Sequence, residues 1–327
     1  MKTKLSIQPT KPSRSSILNP AMAGKPRSSV IFGREIIHLP TTTSTNDEIE
    51  RLTLKRELQA PEGIVVWADE QTRGRGRMGR EWKAPHGKDL LFSVLVRPQW
   101  SVEKMTRLTV LAAVAVARVV SARVEGGRPR STPAATIKWP NDVLLEGKKV
   151  AGILVETRKT PSIKPQTSGK LQDLNPNSEA TTLEDSRLEA SLRLEDCSLK
   201  FFSILGIGIN VNSTTRNFPP ELRKTATSLR GALKASKTID REELLRELLA
   251  ELDAQYVRAQ KNFSAVADEW AHRCATIGKF VAVNVGNRRI EGTAHRLDDD
   301  GALIIRTETG RQERIVGGDV LLEKNHE

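Results

Sequence analysis

The sequence is poor in cysteine, and this scarcity excludes two kinds of architecture. Cys197 and Cys274 are the only two cysteines among 327 residues, too few and too far apart for a disulfide framework or a cysteine-based zinc site. A reducing, cytoplasmic location is therefore expected. Uninterrupted apolar runs of about 18 residues are also missing. The longest apolar stretch, around residues 110–120, is predicted to be a buried helix, so no membrane span is expected.

Acidic residues are absent from the first 34 residues, which carry seven of the twelve net positive charges. This segment is rich in Ser and Pro, and its composition predicts a disordered basic tail over residues 1–30. An organellar transit peptide has a similar composition, which keeps an organelle open as the alternative location. Translation that begins at Met22 instead of Met1 is a further explanation for the unusual composition of this segment. Because so much of the charge lies there, the net charge is weak evidence for nucleic-acid binding.

Apolar patterns predict an α+β fold in two domains, which the chain length allows. Residues 31–275 alternate strand-like runs with amphipathic helical patterns. They are interrupted at 160–196 by a stretch rich in Ser, Thr, Pro and Asn that predicts a flexible insertion. From Gly278 the apolar period changes to two, with short runs separated by glycine-containing turns. This pattern predicts a small β-barrel over residues 276–327.

Two helix starts carry capping signals. Thr45 with Glu48 fits a capping box, and Asp240 with Glu243 fits a second one. Helix capping is therefore the structural explanation that competes with any binding role for Ser44 and Thr45.

Residues 74–79 read Gly-Arg-Gly-Arg-Met-Gly and lie between two apolar runs. Glycines let backbone N–H groups approach an anion, and arginines supply guanidinium forks that match its oxygens. The same letters match the dinucleotide-binding fingerprint, but no helix follows directly, so we reject that interpretation. A nucleic-acid-binding Arg-Gly segment would lie in a polar low-complexity tract. The loop is predicted to hold an anion, with a solvated basic loop as the alternative.

Two further strings accompany this loop. Residues 137–142 read Ile-Lys-Trp-Pro-Asn-Asp, and residues 149–156 read Lys-Val-Ala-Gly-Ile-Leu-Val-Glu. A hairpin is predicted between them, with its turn near Glu146 and Gly147. Taken singly, the lysines and the aspartate are explained as solvated strand, edge or turn residues. Gly152 is harder to explain, because glycine weakens a strand unless something must pass close to it.

Together and in this order, these strings resemble those of the biotin protein ligase family. The likeness runs from about residue 31 to residue 322 and includes Ser44-Thr45-Asn46 and Gly208-Ile209-Asn210. It implies a catalytic domain with a mixed β-sheet and helices, like that of class II aminoacyl-tRNA synthetases, followed by a small SH3-like β-barrel. It also implies the reaction: ATP and Mg²⁺ activate biotin to biotinyl-5′-AMP. The biotinyl group then passes to one lysine of a biotin carboxyl carrier domain, such as that of acetyl-CoA carboxylase.

The resemblance implies roles for individual residues. The expected catalytic residues are Arg75, Arg77, Lys149 and Asp142. The expected biotin-binding residues are Ser44, Thr45, Asn46, Gln71, Gly74, Arg75, Lys149 and Gly152. The expected ATP- or adenylate-binding residues are Arg77, Trp82, Lys138, Asn141 and Asn210. Mg²⁺ favours sparse oxygen ligation plus phosphate, and Asp142 is the candidate ligand.

Two other functions fit parts of the sequence. A lipoate protein ligase resembles this family in fold and also forms an acyl-adenylate, but the strings at 74–79 and 137–142 fit biotin ligases better. A basic nucleic-acid-binding protein would use the tail and the loop. Some family members carry a DNA-binding helix-turn-helix ahead of the catalytic domain. The first 34 residues lack the apolar periodicity of such a domain, so no specific DNA binding is expected. The chain is expected to act as a monomer or homodimer.

Overall fold

The computed structural model describes residues 16–18, 30–55, 60–126, 132–159, 201–286 and 288–322. The expected insertion at 160–196 lies outside the described residues, as does most of the tail. The strands of the larger sheet are β1 Ser16–Leu18, β2 Ile36–Leu39, β3 Val65–Ala68, β4 Leu90–Val96, β5 Ala135–Lys138, β6 Asp142–Leu145, β7 Lys148–Lys159 and β8 Phe201–Ile209. The helices are α1 Thr45–Lys55, α2 Thr106–Glu125, α3 Leu229–Ala232, α4 Arg241–Lys261 and α5 Phe263–Arg273.

The larger sheet has eight strands in the order β1-β2-β3-β4-β8-β7-β6-β5. Neighbouring strands are antiparallel except β2 and β3, which run parallel. The centre of this sheet is the pairing of β4, β8 and β7. The β6–β7 hairpin turns at Glu146 and Gly147, which both have positive φ, 51° and 75°. That turn lies where the sequence predicts it, and left-handed backbone suits a tight hairpin.

Helix α2 forms the centre of the core, because it is apolar on nearly every side. Twelve of its twenty residues are buried, and α4 and α5 pack against it. The segment Val102–Glu125 has the length and hydropathy of a membrane span, but 72% of its most apolar window is buried inside the protein. This burial confirms the buried helix that the sequence predicts around residues 110–120.

The C-terminal strands form a separate antiparallel sheet in the order β12-β11-β10-β9-β13. They are β9 Phe280–Val285, β10 Arg288–Leu297, β11 Leu303–Arg306, β12 Gln312–Ile315 and β13 Asp319–Leu322. This sheet contacts the first domain at the start of α2, where Thr106 donates a hydrogen bond to the carbonyl of Asp300. Arg107 forms an ion pair with the Asp300 carboxylate at 3.2 Å.

The prediction of a wholly disordered tail is wrong at Ser16–Leu18. These residues form β1, which pairs antiparallel with β2 in the register Ile17↔Ile37. An outer strand leaves a row of backbone N–H and C=O groups unpaired, and β1 supplies partners for the outer edge of β2. Composition alone does not reveal such pairing.

One capping prediction is confirmed and the other is wrong. The Asp240 carboxylate accepts hydrogen bonds from the N–H groups of Glu242 (2.8 Å) and Glu243 (3.1 Å), which caps α4. Thr45, by contrast, is the first residue of α1 rather than its cap. Its hydroxyl is 3.0 Å from Oε1 of Gln71 and donates there instead, so a tertiary partner replaces the local capping box.

Candidate active site

A cleft with a volume of about 490 Å³ lies on the face of the larger sheet above β7 and β8. Its walls come from residues 74–79, which we call the arginine-glycine loop, from the turn between β5 and β6, and from residues 218–226. Every site residue predicted from the sequence except Gly74 lines this cleft. They are Ser44, Thr45, Asn46, Gln71, Arg75, Arg77, Trp82, Lys138, Asn141, Asp142, Lys149, Gly152 and Asn210.

Contrary to the sequence prediction, Gly74 does not line the cleft but has a structural role in the loop. A Cβ atom at this position would lie 2.4 Å from the carbonyl oxygen of Trp82 and 2.9 Å from Nε2 of Gln71. The Gly74 carbonyl also accepts a hydrogen bond from the Trp82 N–H at 2.9 Å. Glycine here lets the two ends of the loop close on each other.

One face of β8 forms the floor of the cleft. Gly206 and Gly208 lie on this face and Asn210 follows them, while the intervening Ile207 and Ile209 belong to the core on the opposite face. Residues of one face are about 7 Å apart along a strand. The three positions therefore follow one another along the cleft, and we call them its first, second and third steps.

The first step, at Gly206, carries a network of neutral polar groups. A Cβ at Gly206 would lie only 2.4 Å from Oδ1 of Asn46, so glycine makes room for this buried amide. Ser93 Oγ lies 2.5 Å from the same Oδ1 and 2.6 Å from Thr45 Oγ1. Gln71 Oε1 accepts from the N–H of Thr45 at 2.8 Å. These bonds fix the orientation of side chains whose hydroxyl and amide groups could bind a neutral polar ligand by hydrogen bonding.

Arg75 lies between two carboxylates rather than presenting a bare cation. Its guanidinium is 2.6 Å from Asp47 Oδ1 and 3.0 Å from Glu156 Oε2, and Glu156 also accepts from Asn46 Nδ2 at 2.7 Å. Burial raises the pKa of Glu156, but the hydrogen bonds from Asn46 and Arg75 outweigh burial and hold that pKa below its usual value. The ion pairs give Arg75 an orienting role beside Asn46. Its predicted catalytic and biotin-binding roles stay predictions.

The second step, at Gly208, carries the indole of Trp82. Gly208 pairs with Gly152 of β7 across the sheet. Cβ atoms would lie 2.6 Å from Trp82 Cε2 at Gly208 and 3.0 Å from Cζ3 at Gly152. The indole therefore lies directly on bare backbone, which explains the glycine that the sequence left unexplained at 152. Trp82 Nε1 is buried and has no hydrogen-bond partner among the described residues.

One cation faces this indole, and a second lines the same cleft. Lys149 Nζ lies 5.4 Å from the centre of the Trp82 ring and 2.7 Å from Oδ1 of Asp142. Arg77 donates to Oδ1 of Asn141 at 3.4 Å, and Asn141 Nδ2 is held by the Ile153 carbonyl at 2.8 Å. The strings at 74–79, 137–142 and 149–156 thus converge on one place, as the sequence predicts.

At the third step, both the side chain and the backbone N–H of Asn210 donate hydrogen bonds to backbone carbonyls. Its Nδ2 donates to the carbonyl of Thr227 at 2.9 Å, and its N–H donates to the carbonyl of Val150 at the same distance. Lys138 reaches the cleft from the end of β5, where it pairs with Asp142 across the β5–β6 hairpin.

The chain matches known protein families in two places. Residues 39–168 match the Biotin/lipoate A/B protein ligase family, and residues 276–322 match the Biotin protein ligase C terminal domain. The biotin--[acetyl-CoA-carboxylase] ligase of Paracoccus denitrificans is 31% identical over 280 residues, covering 84% of this chain and 95% of that protein. The chain belongs to the biotin protein ligase family.

Other relatives agree with this family. The bifunctional ligase/repressor BirA of Bacillus subtilis is 31% identical over 293 residues, which cover 89% of this chain and 75% of the relative. The structure of the Aquifex aeolicus biotin protein ligase in complex with biotin and ATP is similar, with a TM-score of 0.60 and 27% identity. That similarity covers 89% of this chain and 99% of the other. The predicted α+β fold of this family, with its mixed sheet and its C-terminal barrel, is thereby confirmed.

Sequence reasoning missed several residues that build this biotin ligase cleft. Ser93, Asp47 and Glu156 hold the predicted side chains in place through hydrogen bonds and ion pairs. Ser93 carries a readable signal, because it is the one polar residue in the otherwise apolar strand Leu90–Val96. Asp47 and Glu156 carry none, since their partners are distant in sequence.

No group of three or more His, Cys, Asp or Glu side chains that could hold a metal ion occurs in the part of the chain that the structure describes. Mg²⁺ needs no such group, because it usually takes one or two carboxylates and completes its shell with water and phosphate oxygens. Asp142, a carboxylate beside Lys149, fits that sparse pattern. Its role toward a metal stays a prediction.

Proposed function

We propose that this chain is a biotin protein ligase that activates biotin with ATP and transfers the biotinyl group to a lysine side chain. The order of groups along β8 carries this proposal. A neutral polar network at Gly206 is followed by an aromatic and cationic step at Gly208 and then by Asn210, about 14 Å from the first step. Biotinyl-5′-AMP has the same order of chemistry: a neutral ureido ring, an acyl phosphate and a nucleoside.

The network at Gly206 suits the ureido ring. Ser44, Thr45 and Gln71 offer hydroxyl and amide groups, and they line the cleft without a net charge. A ring with one carbonyl and two N–H groups needs both donors and acceptors, which these side chain types supply. A flexible acyl chain ending in a dithiolane, as in lipoate, would leave such groups unpaired. Unpaired buried polar groups cost about 1 to 3 kcal/mol each.

The cations beside Trp82 suit the activation step. A biotin carboxylate oxygen must approach the α-phosphorus of ATP, and two unit charges of one sign about 4 Å apart repel by about 4 kcal/mol at an effective dielectric of about 20. Lys149 would offset this repulsion, and Arg77, which also lines the cleft, would add a second cation. A bond forms between the carboxylate oxygen and phosphorus, and pyrophosphate leaves. Asp142, together with phosphate oxygens, would hold Mg²⁺, which would neutralise further charge.

The transfer step needs a neutral amine. The acceptor ε-amine attacks the carbonyl carbon of the acyl phosphate, the C–O bond breaks, AMP leaves and the amine loses a proton as the amide forms. The indole of Trp82 and the arginine-glycine loop cover the adenylate and limit the entry of water. We further propose a biotin carboxyl carrier domain as the acceptor, a cytoplasmic location and action as a monomer or homodimer.

Substrate-dependent exchange of labelled pyrophosphate into ATP tests the proposal. Biotin and lipoate are compared side by side at equal concentration with Mg²⁺. We expect exchange with biotin and none above background with lipoate. Exchange with lipoate alone would make the chain a lipoate ligase, and no exchange with either would overturn acyl-adenylate chemistry.

A further inference from the structure

Asp89 is a buried carboxylate that the proposed reaction does not use. It immediately precedes β4, and only 1% of the residue is exposed. Its Oδ1 accepts from the N–H groups of Val211 (2.9 Å) and Ser213 (3.3 Å), and its Oδ2 accepts from Ser213 Oγ at 2.6 Å. Burial raises the pKa of Asp89, against the opposing effect of these hydrogen bonds.

No cation of the described residues forms an ion pair with this carboxylate. The nearby Arg241 donates to the backbone carbonyl of Asp89 at 3.2 Å and pairs with the carboxylate of Asp69 at 2.7 Å. A buried carboxylate without a cation is costly to keep. Through its hydrogen bonds to Val211 and Ser213, the Asp89 carboxylate supports the segment that follows β8.

That segment leads into one end of a long loop, Thr214–Thr227, which we call the strap. The Ser213 carbonyl accepts from Ser228 Oγ at 2.6 Å, so the residues on either side of the strap are bonded to each other. Ser228 also caps α3, because its Oγ accepts from the N–H of Gly231 at 3.0 Å. Asp89 thus anchors one end of the strap directly and the other end through Ser213.

The strap in turn holds two residues of the cleft. The N–H of Lys149 donates to the carbonyl of Thr225 at 2.7 Å, and the N–H of Thr227 donates to the carbonyl of Lys149 at 2.9 Å. The Thr227 carbonyl also holds Nδ2 of Asn210. Phe218 and Leu222 of the strap line the cleft themselves.

We infer that Asp89 is a positioning residue: its carboxylate fixes the base of the strap, and through the strap it sets the backbone of Lys149 and the amide of Asn210. The inference rests on the proposed function, because it assigns the strap to the adenylate end of the cleft. The polar network at Gly206 has no hydrogen bond to the strap among the described residues, so the hydrogen-bonding end of the biotin site does not depend on Asp89.

Three variants test the inference. Asp89→Asn keeps the shape of the side chain but replaces one acceptor oxygen with a donor group, which cannot accept from Ser213 Oγ. Ser213→Ala removes that one hydroxyl and leaves both backbone N–H bonds. Asp253→Asn is the matched control: Asp253 is also a carboxylate with a raised pKa that accepts backbone N–H bonds, from Ile31 and Phe32 at 3.0–3.1 Å. It does not line the cleft.

Biotin-dependent pyrophosphate exchange gives the KM for ATP and for biotin, and rapid filtration gives the half-life of bound biotinyl-AMP. We expect Asp89→Asn to raise the KM for ATP and shorten the half-life about tenfold each, since one hydrogen bond to a charged group is worth about that factor. The KM for biotin should stay within about twofold. Ser213→Ala should shift the same two quantities by a smaller factor, and it keeps the test open if Asp89→Asn does not fold. Asp253→Asn should lower Tm without moving either quantity.

Equal shifts in Asp89→Asn and Asp253→Asn would overturn the inference, because Asp89 would then contribute only to stability. Equal increases in both KM values would overturn it too. If the parent protein gave no biotin-dependent exchange at all, the proposed function would fail, and the inference would fail with it.

Discussion

Lys149 and Asp142 form an ion pair whose cation also faces an aromatic ring. The Nζ atom of Lys149 lies 2.7 Å from Oδ1 of Asp142 and 5.4 Å from the centre of the Trp82 indole. A lysine side chain is flexible, and these two contacts hold its charge at the wall of the cleft. The charge is thus in place before an anionic ligand arrives.

Removal of this charge is expected to stop the activation step. Lys149→Ala should lower the rate of biotin-dependent pyrophosphate exchange by at least about 100-fold, the range found for single preorganised electrostatic groups. Lys148→Ala is the control, because Lys148 is exposed and adjacent in sequence. A near-normal rate for Lys149→Ala would exclude Lys149 from the chemistry.

Arg77 is expected to retain the intermediate. Arg77→Gly removes a cation that contacts Asn141 and adds backbone freedom next to Met78, which already has a φ of 56°. Biotinyl-AMP should therefore leave the protein faster, and filtration after a single turnover should recover it in the filtrate. Arg77→Lys keeps the charge and should retain more of the intermediate than Arg77→Gly. Equal retention by the parent and Arg77→Gly would show that Arg77 is no clamp.

Two glycines of β8 are expected to separate the two substrates. Gly208→Ala would place a Cβ 2.6 Å from Trp82 Cε2, and Gly206→Ala would place one 2.4 Å from Asn46 Oδ1, so either neighbour must move. We expect Gly208→Ala to raise chiefly the KM for ATP and Gly206→Ala to raise chiefly the KM for biotin. Biotin-dependent pyrophosphate exchange at varied biotin and then at varied ATP measures both. The same ligand weakened by both variants would contradict the ordering of the cleft along β8.

Glu156 is expected to stabilise the fold in a pH-dependent way. Its folded pKa is depressed below the ordinary value of 4.5, so its contribution is fully present above about pH 4.5 and is lost as pH falls through the folded pKa. The Tm difference between the parent and Glu156→Gln should therefore be largest near pH 6 and shrink below about pH 4. Glu308→Gln, at an exposed position, serves as the control and should give a small difference at every pH. A Tm difference for Glu156→Gln that grows on acidification would refute the assignment.

The sequence predicts features that depend on local chemistry. The cap at Asp240, the turn at Glu146 and Gly147 and the buried helix α2 all follow from short-range patterns, and all three are present. The convergence of the three strings could be predicted only through their resemblance to a family. No spacing rule brings residues 74–79 and residue 149 together.

Features that depend on distant partners were missed or wrong. Thr45 has a good local capping partner, but Gln71 competes for its hydroxyl from 26 positions away. Gly74 looks like part of an anion cradle, yet the backbone of Trp82 decides its role. Asp89 has no local signal, because its hydrogen bonds reach across the sheet to Val211 and Ser213. In each case a tertiary contact overrides or replaces the pattern nearby in sequence.

The floor of the cleft consists of one face of β8, and this makes ligand recognition depend on strand alignment. A shift of β8 by one residue against β4 would turn Gly206 and Gly208 into the core and project Leu205 and Ile207 into the cleft. Such a misaligned chain could stay compact and helical, yet its cleft would be filled by its own side chains. We expect such a species to match the native protein by circular dichroism and to bind no biotin.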